Sequence, residues 1–202
     1  VIDFGTSLPS STTKIGADLA EKGAAYLDAP LGRTPAHAVD GKLNIMCAGD
    51  KDAYDKVKPV LDDLGENVFH LGDLGNGHKI KLMNNFFAMT TAMAMSEVFA
   101  VSDKVGVPRQ MVYDVMAAGP NHSGMMDFIK NYATDGQIDL AFSVANAAKD
   151  VGYYKQMAEN FGVDSRMAGC ADATLRAARD GGSGDLNVPE MVDWMTKNLE
   201  SK

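Results

Sequence analysis

Apolar and polar positions follow two different rhythms along the chain. Val1 to Phe4 forms a short apolar run that predicts a buried strand, and Pro9-Ser10-Ser11-Thr12 supplies cap residues for a helix reaching about Lys22, where Gly23 stops it. Ala24 to Ala29 predicts a second strand, ended by Pro30, and Lys42 to Ala48 a third. Lys51 to Leu64 is an amphipathic helix closed by Gly65, and Asn67 to Leu71 is a further short strand. Alternating strands and helices predict crossover connections and an α/β sheet, with only about half the strands of a doubly wound fold.

From Lys79 the rhythm changes. Ile80 to Val105 reads as one long helix, with Leu82, Met83, Phe86, Phe87, Met89, Met93, Val98 and Phe99 spread over every face, the pattern of a buried central helix. Further helices are predicted over Pro108 to Ala118, Met125 to Tyr132, Ala145 to Phe161, Arg166 to Arg179 and Val188 to Asn198. Gly181-Gly182-Ser183-Gly184 reads as a loop, so the second half is all-α.

Composition narrows the function classes. With 202 residues, 46% of them hydrophobic, the chain can bury a real core. Its formal charge is −8 and its Lys and Arg are scattered, which disfavours nucleic acid and anionic membranes as partners. No run approaches the ~20 apolar residues of a membrane span, and no signal-peptide pattern is present, so a cytoplasmic protein is expected. Cys47 and Cys170 lie in apolar surroundings without metal or redox spacing and are expected to be buried free thiols. The opening Val1-Ile2-Asp3-Phe4, already inside a strand-like run and without Met, predicts a chain that begins within a domain.

Lys81, Asn84 and Asn85 interrupt the apolar helix near its start, and their spacing places all three on one face. A partly desolvated amine there suits proton transfer near neutral pH. The same residues also fit a Lys that snorkels to solvent beside two bridging Asn. Ahead of them, Gly72-Asp73-Leu74-Gly75-Asn76-Gly77 lacks the third Gly of a dinucleotide fingerprint, because Ile80 occupies that place, and reads as a hinge turn. Asp28-Ala29-Pro30-Leu31-Gly32-Arg33-Thr34-Pro35-Ala36-His37-Ala38 lies past a predicted strand end, where backbone amides, a guanidinium and a hydroxyl together would suit an anion. An ordinary polar loop with a solvated Arg33 has the same pattern. His37, His70, His78 and His122 have no metal-ligand spacing, so no metal is expected, and no GxSxG elbow supports hydrolase chemistry.

Taken in order, these segments resemble the β-hydroxyacid dehydrogenases, the family of 3-hydroxyisobutyrate dehydrogenase. Val1-Ile2-Asp3-Phe4-Gly5-Thr6-Ser7-Leu8-Pro9 is similar to the family's VIDxSTxxP segment, with Gly5 in place of Ser and Thr6 carried over. Asp28 to Gly41 resembles the substrate motif DAPVSGGxxxAxxG, and Gly75, Gly77, Lys81 and Asn85 match GxGxxxKxxxN. Phe142 and Lys149-Asp150 resemble the F…KD element.

The resemblance implies an α/β remnant of a Rossmann domain over residues 1–75 and an all-α domain of the 6-phosphogluconate dehydrogenase C-terminal type over 76–202, joined by a long helix at about 79–105. It implies NAD or NADP as cofactor, held by Thr6, Phe142, Lys149 and Asp150. Lys81 is then the catalytic acid/base with Asn85 orienting, and Gly32, Arg33, Thr34 and Asn84 bind a small anionic semialdehyde or hydroxyacid. A homodimer or homotetramer through the helical domain is also implied. The family's GxGxMG segment is not in this sequence, so residues 1–202 by themselves are expected to show no turnover. The change from SGG to Gly32-Arg33-Thr34 resembles the loop of 3-sulfolactaldehyde reductases, whose substrate carries a sulfonate. The competing expectation is a helical oligomerisation fragment without activity of its own.

Overall fold

In the computed structural model, residues 1–198 are described, and they form two compact units. The first comprises Val1–Asn85 and Tyr153–Asp164, and the second Phe86–Gly152 and Ser165–Lys202, of which residues up to 198 are described.

The first unit is the α/β part. Strand β1 (Ile2–Asp3) leads to helix α1 (Pro9–Ala20), then to β2 (Leu27–Asp28), which pairs parallel to β1. Helix α1 starts with Pro9 in its first turn, where a missing N–H costs nothing, and no side chain caps it. The expected cap residues therefore have other roles, and Thr12 turns inward and is buried.

Beyond β2, two short elements appear that the sequence pattern did not predict, β3 (Leu31–Gly32) and helix α2 (Pro35–Val39). Strand β3 runs antiparallel to β4 (Leu43–Cys47), which pairs parallel to β5 (Gly65–His70) across helix α3 (Lys51–Leu64). Helix α3 buries Tyr54 and Leu61 and keeps Lys51–Asp55 and Lys58–Asp62 outward as i,i+4 pairs. Its Asp50 cap accepts from the Ala53 N–H at 2.8 Å. Leu27, Ala29, Ile45, Cys47 and Leu61 make the centre of this unit's core.

Helix α4 (Asn76–Val105) opens in the first unit and continues into the second, where α5 (Arg109–Ala117), α6 (Gly124–Asp135), α7 (Val144–Asn160), α8 (Arg166–Ala178) and α9 (Met191–Asn198) follow. Residues 153–160 of α7 belong to the first unit. After α8 the chain winds through Arg179–Ser183 and kinks at Gly182, whose φ of +89° is not helical, so the glycine run is a turn. The last predicted helix divides into a 3-10 turn, Val188–Glu190, and α9. The second unit's core combines Phe99, Ile129, Leu175 and Met191 with Ala92, Ala147, Ala148 and Ala178, small residues that let helices approach closely.

Two expectations are corrected. Helix α4 is not covered on every face, because Phe87, Val98, Val101 and Val105 are exposed along one side at helical spacing while Met89, Met93 and Phe99 are buried on the other. Cys170 is exposed, since it stands on the outer face of α8, whereas Cys47 is buried in β4 as expected.

Candidate active site

Helix α4 carries Lys81 in its second turn, and the chain fixes the start of that helix unusually firmly. Asp28, at the end of β2, is wholly buried. Its Oδ1 accepts the Gly75 N–H and its Oδ2 the His78 N–H, each at 2.8 Å. Both donors belong to the helix start, which has no partners of its own for its first N–H groups. A carboxylate at that end also meets the positive pole of the helix dipole.

His78 is equally buried. Its Nε2 lies 3.2 Å from the Gly5 carbonyl and must carry hydrogen there, while Nδ1 is 2.6 Å from the Thr12 hydroxyl. The first turn of α4 is thus tied to β2, to α1 and to the segment that leads into Thr6.

The two glycines of the turn have separate jobs. Gly75 takes φ +93°, which ends the incoming turn and starts the helix. At Gly77 an added Cβ would stand 2.3 Å from the Met46 carbonyl oxygen and 2.8 Å from Asp28 Oδ2. That glycine allows the helix to pack directly onto the strand ends.

Lys81 is half-buried and Asn85 buried, while Asn84 is exposed and its amide lies 3.4 Å from Asn85 Oδ1. Thr6 is half-buried on the loop leaving β1. Gly32 closes β3, where an added Cβ would lie 3.2 Å from Asn44 Cβ and 3.4 Å from the Met46 methyl. Met46 is therefore a shared neighbour of this loop and of Gly77.

Arg33 adopts φ +73°, a conformation that favours glycine, at the place where the resembling motif has Gly. Its guanidinium donates to the Lys42 carbonyl at 2.8 Å and pairs with Glu66. Arg33 thus stays exposed, as in a polar loop, with its guanidinium held by these two partners. Thr34 is half-buried, with its hydroxyl 2.8 Å from His37 Nδ1.

Phe142, Lys149 and Asp150 belong to the second unit. Phe142 packs on that unit's core, and the Lys149 ammonium lies 2.9 Å from Oδ1 of the buried Asp150. Cys47, near the site, is an unreactive thiol, since burial first and the Asp28 charge second push it up to about 11. Among the described residues, no group of three or more His, Cys, Asp or Glu is arranged to hold a metal ion. No described helix is long and apolar enough to cross a membrane.

Sequence reasoning did not single out Asp28, His78 or Thr12 as parts of this arrangement. The available signal was an Asp at a strand end and a His inside the Gly-x-Gly-His helix start. Their link spans distant parts of the chain, with Asp28 and His78 50 positions apart.

Residues 75–195 match the family model described as NAD-binding of NADP-dependent 3-hydroxyisobutyrate dehydrogenase. The chain belongs to this family. Residues 1–72 match the NAD binding domain of 6-phosphogluconate dehydrogenase, so a Rossmann-type NAD-binding part precedes the helical part, and the cofactor class is NAD or NADP.

Glyoxylate/succinic semialdehyde reductase 1 of Arabidopsis thaliana is 28% identical over 95% of this chain and 66% of its own length. The 3-sulfolactaldehyde reductase of Escherichia coli is 28% identical over 91% of this chain and 62% of its own. A crystal structure of 3-hydroxyisobutyrate dehydrogenase from Salmonella typhimurium superposes with a TM-score of 0.85 at 25% identity, over 96% of this chain and 68% of that one. The chain spans just under two thirds of the length of these curated relatives. Its relatives are β-hydroxyacid and semialdehyde oxidoreductases.

Proposed function

We propose that this chain is the substrate-facing portion of an NAD(P)-dependent oxidoreductase that interconverts a short β-hydroxyacid and its semialdehyde, with Lys81 as acid/base. The observation that carries the reading is the contact between His78 Nε2 and the Gly5 carbonyl, which sets the helix bearing Lys81 against the segment bearing Thr6.

The residues present fit the nicotinamide end of the cofactor. Parallel strands β1 and β2 end at Asp3 and Asp28, and Thr6 follows just beyond, on the edge where open α/β sheets take their ligands. Thr6 would lie at the nicotinamide ribose, and Phe142, Lys149 and Asp150, in the second unit, remain expected cofactor-binding residues. When bound, the nicotinamide supplies or receives the hydride. Lys81 gives a proton to the nascent alkoxide during reduction and takes it from the hydroxyl during oxidation. Asn85 orients that oxygen or the ammonium, and Asn84 lies beside it on the substrate side.

Gly32, Arg33 and Thr34 hold the anionic end of a three- or four-carbon semialdehyde, 3-sulfolactaldehyde first, succinic or methylmalonate semialdehyde next. Relatives named for the first two of these aldehydes, each 28% identical to this chain, support the substrate class without ranking its members. Arg33 is already paired with Glu66, whose side chain is 52% exposed. Such a pair is worth about 1 kcal/mol or less, so a strong anion can compete for the guanidinium at small cost. Residues 1–75 serve as the C-terminal part of the nucleotide domain and 76–202 as the substrate and oligomerisation domain. The exposed apolar side of α4 at Phe87, Val98, Val101 and Val105 supports self-association into a homodimer or homotetramer. A cytoplasmic location accords with two free thiols.

The test is a panel of these aldehydes offered to the full-length protein with NADH and with NADPH. Turnover of a semialdehyde with preference for the sulfonate is the expected result. Absence of turnover with every aldehyde removes the proposal, and indifference to the sulfonate removes its substrate assignment.

A further inference from the structure

Asp28 is an expensive way to cap a helix. A side chain at the usual N-cap position would reach only the N–H of the second or third helical residue and would leave the Gly75 N–H unmet. Asp28 instead reaches the helix start from β2, bonding residues 47 and 50 positions later. A local cap stabilises a helix wherever the helix goes, whereas this one registers α4 against the sheet.

His78 adds the second restraint. Its backbone is held by Asp28, and its ring is held by Thr12 on one nitrogen and the Gly5 carbonyl on the other. One residue therefore ties α4 to β2, α1 and the Gly5-Thr6 segment, with no solvent exposure. Gly77 leaves no slack, since its backbone already touches Met46 and Asp28. Rotation or sliding of α4 would break these bonds together. Lys81 stands one helical turn after His78 on the same face, so whatever fixes His78 fixes the base of the Lys81 side chain.

We propose that Asp28 and His78 are positioning residues that set where Lys81 stands relative to the Gly5-Thr6 segment; this rests on the reading of Lys81 as the acid/base. Asp28 clamps the first turn of the helix, and His78 sets its rotation.

The experiment compares Asp28→Asn, His78→Leu and His78→Gln with Lys81→Ala in the full-length protein, by steady-state kinetics and by amide hydrogen exchange. Asn in place of Asp28 loses one acceptor and points a donor at a backbone N–H. Displacement of a reacting group by about 1 Å costs on the order of 100-fold, so kcat should fall by that factor in Asp28→Asn and His78→Leu with both KM values unchanged. Exchange should quicken only over the first two turns of α4. His78→Gln should recover most of kcat, because its side-chain amide can replace the Nε2 donor to Gly5.

Unchanged kcat in Asp28→Asn and His78→Leu overturns the proposal. So does a loss of protection across the whole first unit with activity falling only in step with the folded fraction, which marks a merely structural role. Turnover surviving in Lys81→Ala locates the failure in the proposed function. An inactive Lys81→Ala beside a fully active Asp28→Asn locates it in the positioning role alone.

Discussion

Replacing Gly77 by Ala introduces one carbon atom at the tightest place in the fold. The new Cβ would sit 2.3 Å from the Met46 carbonyl oxygen, 2.8 Å from Asp28 Oδ2 and 3.0 Å from the Asp28 carbonyl oxygen. Two of the three obstacles are strand backbone and the third is a buried carboxylate, so none can swing aside. Overpacking of this kind costs about 1–3 kcal/mol where the structure relaxes. Relaxation here means lifting the helix start off β2, which stretches the two hydrogen bonds to the Asp28 carboxylate, each of a type worth about 1.5–3 kcal/mol. The expected destabilisation is about 3 kcal/mol or more, read as a fall in urea midpoint at unchanged m-value. Two other glycines calibrate it. Gly75→Ala adds a Cβ no closer than 3.8 Å to any neighbour but forces Ala to φ +93°, costing about 1–2 kcal/mol. Gly169→Ala, in α8 with open space around it, should stabilise by about 0.5–1 kcal/mol. A Gly77→Ala protein within about 1 kcal/mol of the parent, or more stable than Gly75→Ala, would refute the packing argument.

Thiol labelling of the folded protein near pH 8 should modify Cys170 and spare Cys47 until denaturant is added; equal rates at both would contradict the burial of Cys47. Because the Cys47 thiol is raised in the folded state from 9.0 to about 11, its contribution to stability is present below pH 9 and is lost as pH rises through 11, which Cys47→Ala should abolish in an alkaline unfolding series. Arg33→Gly removes a φ of +73° at the expense of an exposed ion pair with Glu66. Strain of about 1–3 kcal/mol outweighs a pair worth about 1 kcal/mol or less, so this variant should be no less stable while losing any preference for the sulfonate substrate. Val101→Asp places a charge on the exposed side of α4 and should lower the assembly state seen by light scattering without changing the far-ultraviolet circular dichroism.

Much of the fold could be read from periodicity. The change from strand–helix alternation to continuous helix near residue 79 is where α4 leads into the all-α region, and α3 and α5 to α8 lie close to their predicted spans. What escaped depends on contacts between distant residues. Helix α4 begins at Asn76 rather than Ile80, because its cap comes from Asp28 and not from a neighbouring side chain. The two-residue strand β3 exists only through its pairing with Ile45 and Asn44, which no local pattern in Leu31-Gly32 announces. Periodicity showed that α4 is apolar but could not say which of its faces this chain covers. For the site, the spacing of Lys81 and Asn85 was visible as a helix face, whereas the buried groups that hold that face in place were not. Arg33 was conspicuous by its charge, yet its partner Glu66 is on β5, and only the folded sheet brings them together.

The central claim is that Lys81 moves the proton in a nicotinamide-dependent reduction, and Lys81→Ala in the full-length protein tests it most directly. With NAD(P)H consumption followed against a semialdehyde substrate across pH, the substitution should lower turnover by at least the ~100-fold typical of a lost acid/base group and remove the corresponding limb of the pH profile. Near-normal turnover with an unchanged pH profile would contradict the account.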